Sequence, residues 1–247
     1  SGVEPEPGRW EHLVIEAPDP KLSIYGWKQA AGGLGAVWAK ENTREAIFDA
    51  MMRKETYATT GSRMAVRFFG GYDFTEEDAK SRLPADEGYK KGVPMGGNLG
   101  TAPDGKGPTF LVAALKDVLS GNLDRIQIVK GWVDASGETQ EKVYNVVWAG
   151  DRELDADGKL SDVGNTVNVG NATWTNSIGS AELIGVWEDP DFDPSMQAFY
   201  YARVIEIPTP RWTAYEAKRF GVEMPDEVPM ITTERAYTSP IWYTPKS

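Results

Sequence analysis

The chain holds one histidine, His12, and no cysteine. That inventory excludes a self-contained histidine-rich metal centre, a disulfide and a thiol nucleophile. His12 could ligate a metal or act as a base, yet its neighbours Trp10 and Glu11 give no ligand spacing, and a structural role is the favoured reading. Asp155, Asp157, Gly158 and Asp162 resemble part of a calcium loop, where several oxygens surround a hard cation. The closing glutamate of such a loop is missing, and an Asp-Gly turn between strands accounts for the same residues. Thr59-Thr60-Gly61-Ser62-Arg63 offers hydroxyls, backbone N–H groups and one guanidinium, a mixture able to hold an anionic group. It lacks the spacing and the lysine of a phosphate loop, and a tight turn with a structural arginine is the competing reading.

The nine tryptophans are a second chemical resource. Trp148, Trp187 and Trp242 sit in strand-like runs and are expected in the core, whereas Trp27 and Trp38 lie among glycines and are pocket candidates. Arg203, within Tyr200-Tyr201-Ala202-Arg203-Val204, is expected to be satisfied inside a sandwich by an ion pair or a cation–π contact. No G-x-S-x-G, H-E-x-x-H, Walker or C-x-x-C motif occurs. With 26 basic and 37 acidic side chains the net charge is −11, which argues against duplex nucleic acid and anionic membrane as partners. No apolar run approaches the ~18 residues of a membrane-spanning helix. The opening Ser1-Gly2-Val3-Glu4-Pro5-Glu6-Pro7-Gly8 has no secretory character and reads as a solvated linker, or as an end left by a proteolytic cut in an exposed loop. Location stays open among periplasm, exterior and cytoplasm.

These residues need elements to place them, and the patterning is mostly that of short strands. Runs at Leu13–Ile15, Met64–Phe69, Phe110–Leu115, Asp124–Lys130, Lys142–Trp148, Thr166–Val169, Ala181–Trp187, Ala198–Ile207 and Ile241–Tyr243 read as strands. Residues 43–54 predict a helix, with an apolar stripe at Ala46, Ile47, Ala50 and Met51 and a cap at Asn42 or Thr43. A short helix fits Thr75–Arg82, and a late one fits 213–220, with Thr213 and Glu216 at capping-box spacing and Gly221 as its stop. Many short strands separated by glycine and proline argue for a mainly β protein with an antiparallel β-sandwich.

Several blocks together resemble one bacterial family, labelled domain of unknown function 3604. They are Trp38 through Ala50, Arg53 through Gly61, Asn122 through Gln127 with Lys130-Gly131-Trp132, and Asp189-Pro190-Asp191-Phe192-Asp193-Pro194. Phe199 through Val204, Thr209-Pro210-Arg211-Trp212 and Tyr237 through Trp242 complete the set. The resemblance spans about Trp10 to Pro245. Members of that family are typically longer, with Gly-Asp-x-His-x-His and Ser-Asp-Ser-His motifs similar to the metal ligands of PHP-type phosphoesterases, which fold as a distorted β/α barrel. Neither motif occurs in this chain. The resemblance therefore implies a C-terminal portion: the end of a PHP-like barrel over 1–69, a glycine-rich excursion over 70–107 and a β-sandwich over 108–247. It implies a divalent metal held by the other half, which would stay non-covalently associated, and a small phosphate-type or related ester as substrate. Trp38, Glu41, Asn42, Arg44, Thr59, Thr60 and Arg63, nearest the barrel, are the expected substrate contacts. The alternative is a non-catalytic β-sandwich binding module, for a carbohydrate or a protein, that uses Trp27 or Trp38.

Overall fold

The computed structural model describes residues 4–30 and 32–245; the first three residues of the opening segment fall outside them. In chain order, an arm of two paired strands, β1 (Leu13–Ile15) and β2 (Ile24–Tyr25), precedes β3 (Leu34–Val37), helix α1 (Arg44–Met52) and β4 (Thr56–Thr59). Next come β5 (Ala65–Gly71), α2 (Glu76–Ala79), α3 (Pro84–Lys91), β6 (Gly92–Pro94), β7 (Asn98–Leu99) and β8 (Thr109–Leu115). The long strands β9 (Leu123–Val133) and β10 (Thr139–Trp148) form a hairpin, followed by β11 (Glu182–Glu188) and β12 (Ala198–Glu206). The chain ends with β13 (Thr209–Pro210), α4 (Trp212–Phe220), β14 (Ile231–Thr232), β15 (Arg235–Thr238) and β16 (Ile241–Tyr243).

The protein is mainly β. One sheet runs β10-β9-β12-β15-β4-β3, with β16 paired to β12 and β7; a second runs β11-β8-β5-β6. Pairing is antiparallel throughout except between β16 and β7. The inward side chains of both sheets meet in one core: Val66, Phe68, Phe110 and Val112 from the smaller sheet face Ile126, Ile128, Tyr200, Val204 and Ile241 from the larger. The alternation of β12, with Ala198, Tyr200, Ala202 and Val204 buried, is the pattern a half-buried strand demands. Strand β8 is apolar at nearly every position for a different reason. Its other face, with Phe69 of β5, lies under α2 and α3, where Leu111, Phe74 and Ala85 form a second cluster. The molecule thus has three layers: large sheet, small sheet, and a helical pair.

Several expectations change. Strands β4 and β5, expected as the end of a barrel, pair antiparallel with β15 and β8 and contribute to the sandwich. The excursion over 70–107 holds two helices and two strands. A strand over Thr166–Val169 does not form. Asn168 Oδ1 accepts from Asn171 N at 2.9 Å and closes a turn, leaving one bridge between Asn168 and Thr173. Helix α4 uses no capping box, because both residues serve tertiary contacts: Thr213 donates to the Pro229 carbonyl and Glu216 pairs with Arg9. Its stop at Gly221 is as expected, in the left-handed region with φ 63°.

Candidate functional site

The antiparallel β3–β4 pair separates the seven expected contact residues into two groups. Val37 sits opposite Thr56 and Leu34 opposite Thr59, so the two ends are about 10 Å apart at ~3.3 Å per residue. Trp38, Glu41, Asn42 and Arg44 lie at one end; Thr59, Thr60 and Arg63 leave from the other. Glu41, Asn42 and Arg44 are exposed around the start of α1, where Thr43 Oγ1 accepts from Ala46 N at 3.3 Å and caps the helix. Trp38 is fixed in place: its Nε1 donates to the Val66 carbonyl at 2.8 Å and the Arg67 guanidinium lies 3.3 Å from its ring centroid. Its indole packs against the core.

At the other end, chain segments remote in sequence close around a cleft of about 500 Å³. Thr60, Gly61 and Ser62 form one wall, Asp117 and Ser120 a second, Arg211 and Trp212 a third, and Glu234 and Arg235 a fourth. Thr60 ties two of these walls. Its hydroxyl donates to the Glu234 carboxylate, and the Arg235 backbone N–H donates to it at 2.9 Å. Asp117 ties another pair by accepting from Arg63 N at 2.7 Å and Leu119 N at 2.9 Å. Those two backbone N–H groups hold its carboxyl below the usual carboxylate range. Arg63 thus enters through its backbone, while its side chain is exposed. Thr59 is buried on β4, one residue behind the wall.

Two further residues give the cleft its character. Arg211 Nη2 donates to the Gln29 carbonyl at 2.7 Å, and Trp212 Nε1 donates to the same oxygen at 3.0 Å, which anchors both to the N-terminal arm. Arg211 Nη1 is buried without a hydrogen-bond partner among the described residues. Beneath the floor, Glu206 is fully buried, with Ser120 Oγ donating to Oε2 at 2.6 Å and Oε1 without a geometric hydrogen-bond partner among the described residues. Burial pushes the Glu206 carboxyl above its ordinary range; Ser120 and Ser62 oppose that, and Glu234 and Asp117 add to it. The cleft therefore sets guanidinium groups and hydroxyls over a carboxyl with a raised proton affinity. Its guanidinium groups and hydroxyls can grip anionic oxygens. Within the Thr59–Arg63 segment the local pattern pointed here; Glu206, Ser120 and Arg211 carried no local signal, because only the fold brings them together.

A second ionic cluster is structural. Lys130 Nζ lies 2.6 Å from Asp189 Oδ2 with both side chains buried, and Tyr200 donates to the same carboxyl oxygen at 2.7 Å. Lys130 also donates to the Asp191 carbonyl at 2.7 Å, while Tyr144 donates to the Asp191 carboxylate at 2.7 Å. Burial, then the Asp189 charge, pushes the Tyr200 phenol up. Two of the sequence blocks, Asp189 to Pro194 and Phe199 to Val204, meet here. Elsewhere His12 Nε2 lies 3.0 Å from Glu6 Oε1, exposed. Asp155 Oδ1 accepts from Asp157 N at 2.9 Å and Lys159 N at 2.8 Å, as an Asx turn does. Arg203 Nε donates to Gln127 Oε1 at 2.8 Å on the outer sheet face, in place of the expected ion pair or cation–π contact. Among the described residues no three His, Cys, Asp or Glu side chains come together to hold a metal.

No curated protein and no solved structure matches the chain. A family described as a protein of unknown function, DUF3604, matches residues 3–245, which takes in the arm, both sheets and every wall of the cleft. The chain belongs to that family, DUF3604.

Proposed function

We propose that this chain is the β-sandwich portion of a PHP-like, metal-dependent hydrolase of phosphate-type or related esters, with the metal ligands and the β/α barrel supplied by a segment of the same protein outside this sequence. One observation carries the reading. Helix α1 turns Phe48, Met51 and Met52 to solvent at 59%, 56% and 66% exposure, next to the partly buried Ile47. A helix whose apolar stripe is not buried in its own domain is built to be covered by another. The face adjoins Arg44, one of the expected contacts. The chain's own contribution would be to hold the substrate. In the cleft, Arg211 and Arg235 would meet ester or phosphate oxygens, with the Thr60 and Ser62 hydroxyls beside them.

The test uses the protein extended through its upstream reading frame. It is assayed on p-nitrophenyl phosphate and bis-p-nitrophenyl phosphate with Mn²⁺ or Zn²⁺ supplied. Hydrolysis by the longer protein is expected, with Arg211→Ala raising KM by about tenfold and leaving kcat within about threefold, the signature of lost binding. An upstream frame without a histidine-rich segment, or no hydrolysis of either ester, overturns the proposal.

A further inference from the structure

The outer face of the large sheet carries an arrangement unrelated to the cleft. On β12 the even-numbered side chains fill the core, which turns Phe199 and Tyr201 outward. Antiparallel pairing places Phe199 opposite Gly131 on one side and Trp242 on the other. A Cβ at residue 131 would sit 2.3 Å from Phe199 Cζ, so the phenyl ring lies down across the glycine. The Phe199 and Trp242 ring centroids are 5.2 Å apart at 50°, and Tyr201 follows 6.5 Å from Phe199 at 12°. Trp242, expected in the core, is 38% exposed. Beside these rings a groove of about 400 Å³ is walled by Phe199 and Trp242 and rimmed by Thr139, Glu141 and Gln197, while the Trp132 ring packs inward against the core.

We propose that this groove binds a neutral glycan, with a sugar ring seated on Trp242 and Phe199. A sugar ring has a C–H face that packs on aromatic rings and a hydroxyl edge that needs donors and acceptors, and the groove offers both within one sugar's reach. Charge selects among sugars. The groove lining includes Glu141 and no lysine or arginine, and the chain carries a net charge of −11, which disfavours uronate or sulfated chains. Lys130, whose Nζ lies 5.3 Å from the Trp132 ring, is buried and held by Asp189. The inference stands apart from the hydrolase reading, since it uses none of the residues of the cleft or of α1.

Affinity electrophoresis of the whole chain tests it, in gels containing a neutral β-glucan, a galactomannan or an arabinan, and in parallel polygalacturonate or a sulfated galactan. Retardation in at least one neutral gel and in neither acidic gel is expected. Trp242→Ala should weaken binding at least about tenfold, while Trp242→Phe stays within about threefold, since a ring is kept. Circular dichroism of each variant checks folding. Because Trp242 sits in a short strand, Gln197→Ala at the rim gives an independent reading and should also weaken retardation. No retardation in any neutral gel, retardation only by acidic polymers, or binding that survives both Trp242→Ala and Gln197→Ala but is lost in Trp27→Ala overturns the proposal.

Discussion

Lys130 and Asp189 show what a single residue must do inside this sandwich. An ammonium and a carboxylate there, 2.6 Å apart, are tolerable only because Tyr200 and the Asp191 carbonyl take up their remaining hydrogen-bonding capacity. Removing one partner leaves the other charge buried alone. Lys130→Met is therefore expected to cost about 3–5 kcal/mol in urea unfolding, and Lys130→Met with Asp189→Leu much less, since no charge is then stranded. Glu206 poses the opposite case. Its folded-state proton affinity is raised above the ordinary 4.5, chiefly by burial. The folded state then binds the proton more tightly than the unfolded state, so this residue's contribution is greatest at acid pH. It is lost as pH rises from about 4.5 through Glu206's own higher value. Glu206→Gln keeps the neutral shape and removes the titration. The variant is expected to gain stability relative to wild type as pH rises above the ordinary 4.5, measured as the difference in thermal midpoints. A difference that is flat with pH would mean that Glu206 titrates normally.

Helix α3 marks how far patterning alone reaches at the scale of elements. Strands β8, β9 and β12 were legible because a strand that buries one face must alternate, and one that buries two must be apolar throughout. Helix α1 was legible from its cap and its stripe. Helix α3 was not, because the residue it buries is Gly88, which breaks the apolar period a helix is recognised by. Its remaining signals, Pro84 at the start, Asp86 and Glu87 in the first turn and Lys90 and Lys91 in the last, suit the helix dipole but are weak alone. Gly88 is required by contact: a Cβ there would lie 2.4 Å from Phe69 Cδ2 and Cγ, in the cluster between sheet and helices. Gly88→Ala is expected to destabilise by about 1–3 kcal/mol, through overpacking that pushes α3 off the sheet, whereas Glu87→Ala on the same helix should change stability by under about 0.5 kcal/mol. Chemical unfolding of the two variants side by side distinguishes them. The cleft follows the same logic one level up. Thr60 was legible in its own turn. Arg211, Ser120 and Glu206 come from three other segments, and no local pattern announces a convergence that strand order alone creates.

At the scale of the whole molecule, two surfaces are treated differently. The face of the small sheet is covered by α2 and α3, while α1, at the free edge strand β3 of the large sheet, leaves its apolar side open. Nothing in the sandwich core depends on that side: among α1 residues only Ala50 is buried. Phe48→Asp combined with Met51→Asp should therefore leave the unfolding midpoint of this chain within what about 0.5 kcal/mol produces, since exposed positions contribute little to folding. The same pair is expected, on the proposed hydrolase reading, to abolish co-purification with the proposed barrel segment when the two are expressed as separate polypeptides, because a charge placed in an apolar interface strands an unpaired carboxylate. Unchanged midpoints with lost association would assign α1 to the interface. Association that survives both substitutions would move the docking surface elsewhere, and a collapsed midpoint would make α1 part of the sandwich's own stability. The three outcomes separate cleanly because Phe48 and Met51 are exposed in this chain, while Ala50 is the helix residue it buries.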